Sequence, residues 1–393
     1  MNIALKKINT IGISKSPKDT KVVVAMSGGV DSSTVAGLMK KEGYQVTGIT
    51  LKLYDDSKTS KEGRQCCAGQ DILDAKRVSQ KLNIDHKILY YQKKFKKDVI
   101  DSFVDSYIAG ETPIPCVQCN QTVKFRDLYS YAQEMKADAL VTGHYVKRIE
   151  NNKNAEMYRA FDLTRDQSYF LFSTTQEQLD FLRFPLGQID KLETRSIAQK
   201  LKLNVADKPD SQEICFIPSG DYRKFVKERV EAKPGKFVDI EGNVLGEHPG
   251  IQFFTVGQRR KLGLNSGDGL PRFVIRIDSQ NNEVILGREE ELMSQNFSAN
   301  KLNFTSTVAP GTEIRVNARI RYKAKEESAS VYVSDDCADI RFDQPQRAIT
   351  PGQPVVFYQA EEMIGGGIIE GLKLPSELNI DEEIVAVSAQ DRR

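Results

Sequence analysis

No stretch of the 393 residues approaches the ~20 consecutive apolar positions that a membrane-spanning helix needs, so no spanning segment is expected. The first twenty residues, MNIALKKINTIGISKSPKDT, lack an apolar core followed by a small-residue cleavage site. They read as a loose extension, an organelle-targeting peptide being the other reading, and the chain is expected to be cytoplasmic. Cysteine is sparse: six residues in so long a chain, without a secretory leader, are not a disulfide framework. In a reducing compartment such thiols hold metal, do chemistry or are buried. A net charge of only +2 removes any global basic field, although a local patch would be enough to bind RNA phosphates. There is no internal repeat and no low-complexity segment. Neither GxxxxGK(S/T) nor GxGxxG occurs, which excludes the two commonest phosphate-binding signatures.

What remains is an ordinary globular composition, 39% hydrophobic and 28% charged, in a chain too long for one core. From residue 21 to about 215 strand and helix patterns alternate. Lys21–Met26, Gln45–Lys52, His86–Tyr90 and Ala139–Thr142 read as strands. Ser33–Lys41, Asp71–Leu82, Lys124–Met135, Gln176–Phe184 and Thr194–Leu201 read as helices. Near-continuous apolar strands in this order predict an α/β fold with a parallel sheet covered on both faces. Beyond Pro218 one helix, Asp221–Arg229, is followed by short β-rich runs between glycines and prolines, the pattern of a small antiparallel barrel. The expected domains are 21–217, a central domain 218–298 and a C-terminal β-barrel 299–378, with 1–20 and 379–393 as extension and tail.

The first strand leaves the sheet through SGGVDSS, residues Ser27 to Ser33, directly into a helix. Ligands of α/β sheets bind at the carboxyl ends of strands. Two glycines let backbone approach a ligand, and the amides and dipole of a helix start favour an anion. Phosphate is the natural guest. The bland reading, a tight turn with Ser32 or Asp31 as helix cap, accounts for one residue at a time and not for the whole unit. The motif resembles the PP-loop of the ATP pyrophosphatase superfamily, whose members transfer AMP to a substrate oxygen and release pyrophosphate. That resemblance leaves the substrate open.

TPIPCVQCNQTVKF, residues Thr112 to Phe125, places Cys116 and Cys119 at CxxC spacing just before a helix. A helix start lowers a thiol's pKa, so reactive thiolates are expected there. Cys215 lies in KPDSQEICFIPSGDY. Together with TGHY at Thr142–Tyr145, RDQSYFL at Arg165–Leu171, GQRRKLGL at Gly257–Leu264, RYKA at Arg321–Ala324 and PGQPVVFY at Pro351–Tyr358, these segments resemble the bacterial tRNA-specific 2-thiouridylase family, in the family's order. The resemblance implies ATP-dependent thiolation of uridine at C2 in the wobble position of tRNA, with ATP and Mg2+ as cofactors. Its partners would be the tRNA anticodon arm and a persulfide donor such as a cysteine desulfurase or a sulfur-relay protein.

By the same resemblance Cys215 carries the persulfide and Cys119 is the partner thiol that closes a disulfide with it. ATP contacts map to Ala25, Met26, Ser27, Gly28, Gly29, Val30, Asp31, Ser32, Leu51 and Gly143. Contacts to tRNA map to Ile114, Pro115 and Cys116 beside the target base, His144, Arg165, Asp166 and Gln167, and to Arg321, Tyr322 and Gln353. One position departs from the family: many members have Asp where this chain has Cys116. Three thiolates, Cys116, Cys119 and Cys215, would suffice to hold a 4Fe–4S cluster with one iron open. Because the family pattern accounts for Cys119 and Cys215 without iron, the cluster-free mechanism is favoured. Cys66 and Cys67 read as structural and Cys337 as a core residue. The Lys93–Lys97 run reads as a solvated helix face. Two other functions stay open on sequence alone: a PP-loop enzyme adenylating a small molecule, and a non-catalytic tRNA-binding or iron–sulfur sensor protein.

Overall fold

Val22, Val23 and Val24 are buried because β1 (Lys21–Ala25) is the middle strand of a five-stranded parallel sheet. In the computed structural model, which describes residues 9–54, 67–151, 154–210, 214–217, 219–264, 269–305 and 308–373, that sheet continues outward on both sides. On one side of β1 lie β2 (Gln45–Lys52) and then β3 (Asp85–Tyr90). On the other are β4 (Ala139–Val141) and, after a hairpin of β5 (Val146–Glu150) and β6 (Ala155–Arg159), the short β7 (Leu182–Arg183). A strand paired on both edges and covered on both faces must be apolar along its length, which the valines satisfy.

Helices α1 (Val30–Lys41) and α2 (Cys67–Leu82) pack on this sheet. Val35, Ala36 and Met39 of α1 and Ala75 and Val78 of α2 join Val22, Val24 and Val141 in one core. Helix α1 begins at Val30, three residues before the expected start, so Ser32 and Ser33 belong to its first turn. The helix expected over 176–184 ends at Phe181. Pro185 disfavours helical backbone in the residue before it, and Leu182 and Arg183 instead pair with Leu140 and Val141. The helix expected from Lys124 is the tail of a longer one that starts at Pro115. It runs as α-helix over Pro115–Cys119, π-helix over Asn120–Leu128 and α-helix over Tyr129–Glu134. Cys116 and Cys119 therefore lie inside a helix and not ahead of it.

Contacts divide the chain into two units. The first holds the parallel sheet, with residues up to Ile100, Cys116–Gly220 and Glu361–Met363. The second takes Asp101–Pro115, Asp221–Ala360 and the remainder of the chain from Ile364. In the second unit, β8 (Gly235–Val238), β9 (Val244–His248), β10 (Phe273–Asp278) and β11 (Glu283–Gly287) form a sheet of order β10-β11-β8-β9 around Phe237, Phe254, Val274 and Leu286. Then β12 (Met293–Phe304), β13 (Thr312–Arg319), β14 (Glu327–Val333), β15 (Cys337–Arg347), β16 (Pro354–Gln359) and β17 (Glu362–Leu372) run β12-β15-β14-β13-β16-β17. The pairing of β12 with β17 closes them into a barrel without free edges. Phe297 stacks on Phe342 at 5.7 Å inside it, and each fully buried side chain of this size stabilises by roughly 1.5–3 kcal/mol. Strand β13 ends at Arg319, so Arg321 and Tyr322 stand on the following loop. Cys337, expected in the core, opens β15 and is partly exposed. Among the described residues no helix is long and apolar enough to cross a membrane.

Residues 9–20 are not loose. Ile11 is buried in the parallel-sheet core, Thr10 hydrogen-bonds the Tyr44 hydroxyl at 2.7 Å, and the Arg183 guanidinium donates to the Ile11 carbonyl at 2.5 Å. A buried guanidinium left without that acceptor carries a desolvation penalty. Deleting residues 1–19 should therefore lower the thermal midpoint, by about 2–4 °C per kcal/mol lost. A calorimetric midpoint equal to that of the full chain would show these contacts to be without weight.

Candidate active site

The chain leaves β1 into a loop whose conformation only glycine at position 28 allows. Gly28 has φ +79°, and a Cβ there would stand 2.1 Å from the Asp71 carbonyl oxygen. Gly29 is the N-cap of α1, and no side chain caps the helix. The first-turn amides thus lack both intrahelical and capping acceptors, the arrangement that receives an anion. The Ser32 hydroxyl accepts from the Ser27 amide at 3.1 Å and lies 3.2 Å from the Ser27 hydroxyl, tying the loop to its own helix. Gly143, after β4, lies flat against this helix start: a Cβ would sit 2.8 Å from the Ser32 nitrogen. Ala25, Met26 and Leu51 end β1 and β2 beside it, with the Met26 amide bonded to the Ile49 carbonyl. The residues assigned to ATP from the sequence thus converge on the carboxyl end of the sheet.

Asp31 does not point to solvent alone. Both its oxygens accept from the Lys191 ammonium, at 2.7 and 2.8 Å, and Oδ1 also accepts from the Tyr145 hydroxyl at 2.8 Å. Burial, and then the charge of Asp31, push the Tyr145 pKa well above the usual phenol range, so its proton stays on the shared bond. Lys191, itself nearly sealed from water, also reaches Asp210 at 2.7 Å. Lys208 donates to the Gly28 carbonyl at 3.0 Å and to Asp71 and Asp74 at 2.6 and 2.7 Å. Sequence reading missed Lys191 and Lys208. An isolated lysine, at a helix start like Lys191 or in a loop like Lys208, carries no signal of what the fold brings to it.

The three thiols form a second cluster in the same unit. Cys119 is buried, whereas Cys116 and Cys215 present exposed side chains. Protein nonetheless crowds all three sulfurs: desolvation raises each pKa, and Cys215 is pushed up to about 12, next by the charges of Cys119 and Cys116. This reverses the expectation of thiolates lowered by a helix start. A short helix turn offers less than burial takes away. The Lys124 ammonium pulls all three thiols down, and it is anchored on Asn120 Oδ1 at 3.0 Å. His144 is pushed down to about 3 by burial and then by Lys124, so it is neutral at neutral pH. Its Nδ1 lies 2.8 Å from the Thr142 hydroxyl, and its ring meets Phe125 edge-on at 5.8 Å. Gly143 touches the loop and His144 faces the thiol helix, so the nucleotide loop and the sulfurs flank one strand end. Among the described residues, no group of three or more His, Cys, Asp or Glu side chains is arranged to hold a metal ion.

The residues assigned to tRNA divide. Arg165 keeps 41% of its side chain exposed and pairs with Asp210 at 2.8 Å. Asp166 is buried, accepting from the Ala160 amide and the Ser168 hydroxyl, and Gln167 exchanges bonds with the Tyr145 backbone. These two shape the loop that presents Arg165. In the second unit, Arg321 donates to the carbonyls of Arg347 and Ala348, and Gln353 Nε2 donates to the Thr112 carbonyl at 2.5 Å, two residues before Ile114. Gly352 allows that approach, since a Cβ there would meet the Thr112 nitrogen at 2.9 Å. Tyr322, Ile114 and Pro115 complete this group, Pro115 buried and the other two partly so. In GQRRKLGL the leucines pack on the central core while Arg259, Arg260 and Lys261 are exposed. In the Lys93–Lys97 run, Lys94 pairs with Asp127 at 2.9 Å, and Lys93, Lys96 and Lys97 are exposed around buried Phe95. Cys66 lies outside the described residues, as does the side chain of Cys67.

Comparisons with known proteins cover nearly the whole chain. Residues 20–219 match the family model described as tRNA methyl transferase HUP domain. Residues 223–288 match tRNA methyl transferase PRC-barrel domain, and 294–369 match Aminomethyltransferase beta-barrel domain. The tRNA-specific 2-thiouridylase MnmA of Paracoccus denitrificans is 47% identical over 92% of this chain and 94% of its own. The proteins of that name from Hyphomonas neptunium and Orientia tsutsugamushi are 45% and 47% identical, over 97% and 91% of this chain and 97% and 98% of their own. Among solved structures, a 4-thiouridine synthetase–RNA complex with bound ATP aligns over 54% of this chain and 50% of its own. At 19% identity and a TM-score of 0.35, that likeness is too remote to bear on function.

The raised thiol of Cys215 has a direct consequence. Its thiolate fraction should rise about tenfold per pH unit, with no plateau below pH 10, because the folded pKa lies near 12. Mass-spectrometric alkylation rates with iodoacetamide from pH 7 to 10 read this, and a plateau near pH 8.5 would mean the site does not desolvate its sulfur. Lys124→Met should slow the reaction further, by removing a cation that favours the thiolate.

Proposed function

The chain belongs to the tRNA-specific 2-thiouridylase family, and from that premise we propose that it replaces the C2 oxygen of the wobble uridine in tRNA with sulfur, using ATP. The observation that carries this reading is the pairing of an uncapped helix start behind SGGVDSS with three thiols around Lys124, on either side of Gly143 and His144. An adenylating enzyme for a small molecule needs the first feature and has no use for the second.

A carbonyl oxygen is a poor leaving group, and AMP is a good one. The uridine C2 oxygen attacks the α-phosphorus of ATP, and pyrophosphate departs from the amides of the loop. The terminal sulfur of a Cys215 persulfide then attacks C2 and AMP leaves with the former C2 oxygen. The Cys119 thiolate attacks the Cys215 sulfur, the S–S bond to the substrate breaks, and its electron pair becomes the C2 thiocarbonyl. The products are 2-thiouridine, AMP, pyrophosphate and a Cys119–Cys215 disulfide, which a dithiol reductant reopens. A resting Cys215 thiol at a pKa near 12 is a poor nucleophile at neutral pH. A persulfide is more acidic than its parent thiol, so loading the sulfur also activates it.

Mg2+ would be held mainly by the phosphates of ATP, as is usual for this ion, Asp31 being already engaged by Lys191. Ile114, Pro115 and Cys116 would line the target base, which must leave its stack to be reached. His144, Arg165, Arg321, Tyr322 and Gln353 would contact the anticodon arm, with Asp166 and Gln167 shaping the Arg165 loop. A cysteine desulfurase or sulfur-relay protein would load Cys215, in the cytoplasm where tRNA and ATP meet.

Nucleoside mass spectrometry of tRNA from a strain lacking this protein should show loss of 2-thiouridine derivatives, restored by the wild-type chain but not by Cys119→Ser or Cys215→Ser. Retained thiolation in the deletion strain would remove the proposed activity. Cys116→Asp should thiolate normally. Its inactivity, accompanied by iron bound stoichiometrically to anaerobic wild-type protein and lost from the variant, would require a cluster instead.

A further inference from the structure

Lys208 and Asp210 stand two residues apart, just upstream of Cys215, and hold opposite ends of the nucleotide loop. All three donors of an ammonium find acceptors at Lys208: the Gly28 carbonyl at 3.0 Å, Asp71 at 2.6 Å and Asp74 at 2.7 Å. Asp210 accepts three cations: Lys191 at 2.7 Å, Arg165 at 2.8 Å and Arg195 at 3.3 Å. Lys191 is the same ammonium that grips both oxygens of Asp31. Arg195 also closes the turn on itself, donating to the carbonyls of Ala206 and Lys208 at 2.6 and 3.0 Å. Pro209, between the two, removes a backbone degree of freedom.

We infer that Lys208 and Asp210 form a clip that registers the Cys215 segment on the nucleotide loop, so that sulfur arrives where the adenylated uridine is made. The clip rests on the thiolation reading above and adds positioning residues to it. Four residues separate Asp210 from Cys215, so the Cys215 Cα lies no more than about 18 Å from the Asp210 Cα. Adenylated uridine is open to water as well as to sulfur. A misplacement of about 1 Å in an attacking group lowers a rate about 100-fold, so the benefit of the clip falls on the second half-reaction. Arg165 brings the RNA-facing loop to the same carboxylate.

The experiment uses the full-length enzyme, its Cys215 loaded with inorganic polysulfide, with ATP and an unmodified tRNA transcript. Pyrophosphate release reads adenylation, and single-turnover formation of 2-thiouridine reads sulfur transfer. For Asp210→Asn and Lys208→Gln, the yield of thiouridine per pyrophosphate released should fall about 100-fold, whatever the change in pyrophosphate release itself, and Asp210→Glu and Lys208→Arg should recover part of the loss. Oxidant-driven formation of the Cys119–Cys215 disulfide, measured without ATP or tRNA, should slow in Asp210→Asn and recover in Asp210→Glu. That measurement needs only the folded chain, and the thermal midpoint of each variant establishes the fold. Equal losses in both half-reactions, or thiolation and disulfide formation at wild-type rates, would overturn the clip. Wild-type enzyme that releases pyrophosphate on tRNA and makes no 2-thiouridine would overturn the thiolation reading, and the clip with it.

Discussion

An ammonium nearly sealed from water must meet negative charge on more than one side, and Lys191 does so by joining Asp31 to Asp210. Leaving Lys191 without both carboxylates would be costly, since an uncompensated buried charge typically destabilises by about 3–5 kcal/mol. The bridge therefore obliges three distant pieces of chain to come together: the first turn of α1, the start of the helix Lys191–Lys200 and the segment that leads to Cys215. It also leaves the loop carboxylate neutralised. A free Asp31 beside the amides of α1 would repel the phosphates those amides are placed to receive. Paired with Lys191, it leaves the positive helix end available.

The thiols pose the opposite problem. Three sulfurs in a desolvated pocket cannot all ionise, because each thiolate raises the pKa of its neighbours. Lys124 offsets part of this and burial outweighs it. The resting site thus holds neutral thiols, and on the proposed reading reactivity arrives with the persulfide. His144, held neutral beside the same lysine, adds no competing charge. Both clusters border the carboxyl ends of the parallel strands, where an α/β sheet leaves its crevice.

Several residues that read as ligand contacts turn out to hold the protein's own backbone. Asp166, Gln167, Arg321 and Gln353 each satisfy amides or carbonyls of neighbouring loops. A polar side chain can bond a loop and still offer its remaining edge to RNA. The shape of the loop is then part of what is recognised, and substituting such a residue perturbs both.

Much was legible before any fold was known. The valines of β1 and the two glycines after them are local features, written in consecutive residues. So were the alternation that forms a parallel sheet and the spacing of Cys116 and Cys119. The errors have a common cause. Residues 9–20 look like a polar extension until Arg183, far along the chain, supplies the donor that Ile11 accepts from. Leu182 and Arg183 read as the end of a helix until β4 offers an open edge. The thiols read as activated by a helix start until the pocket around them is counted. Lys191 and Lys208 carried no local signal at all, because a lysine is a solvated residue until the fold places carboxylates around it. Periodicity and backbone permission act between neighbours, and the sequence by itself determined them. Desolvation and charge compensation depend on what arrives from elsewhere in the chain, so only the tertiary structure decided which side chains are held, which are silent and which can react.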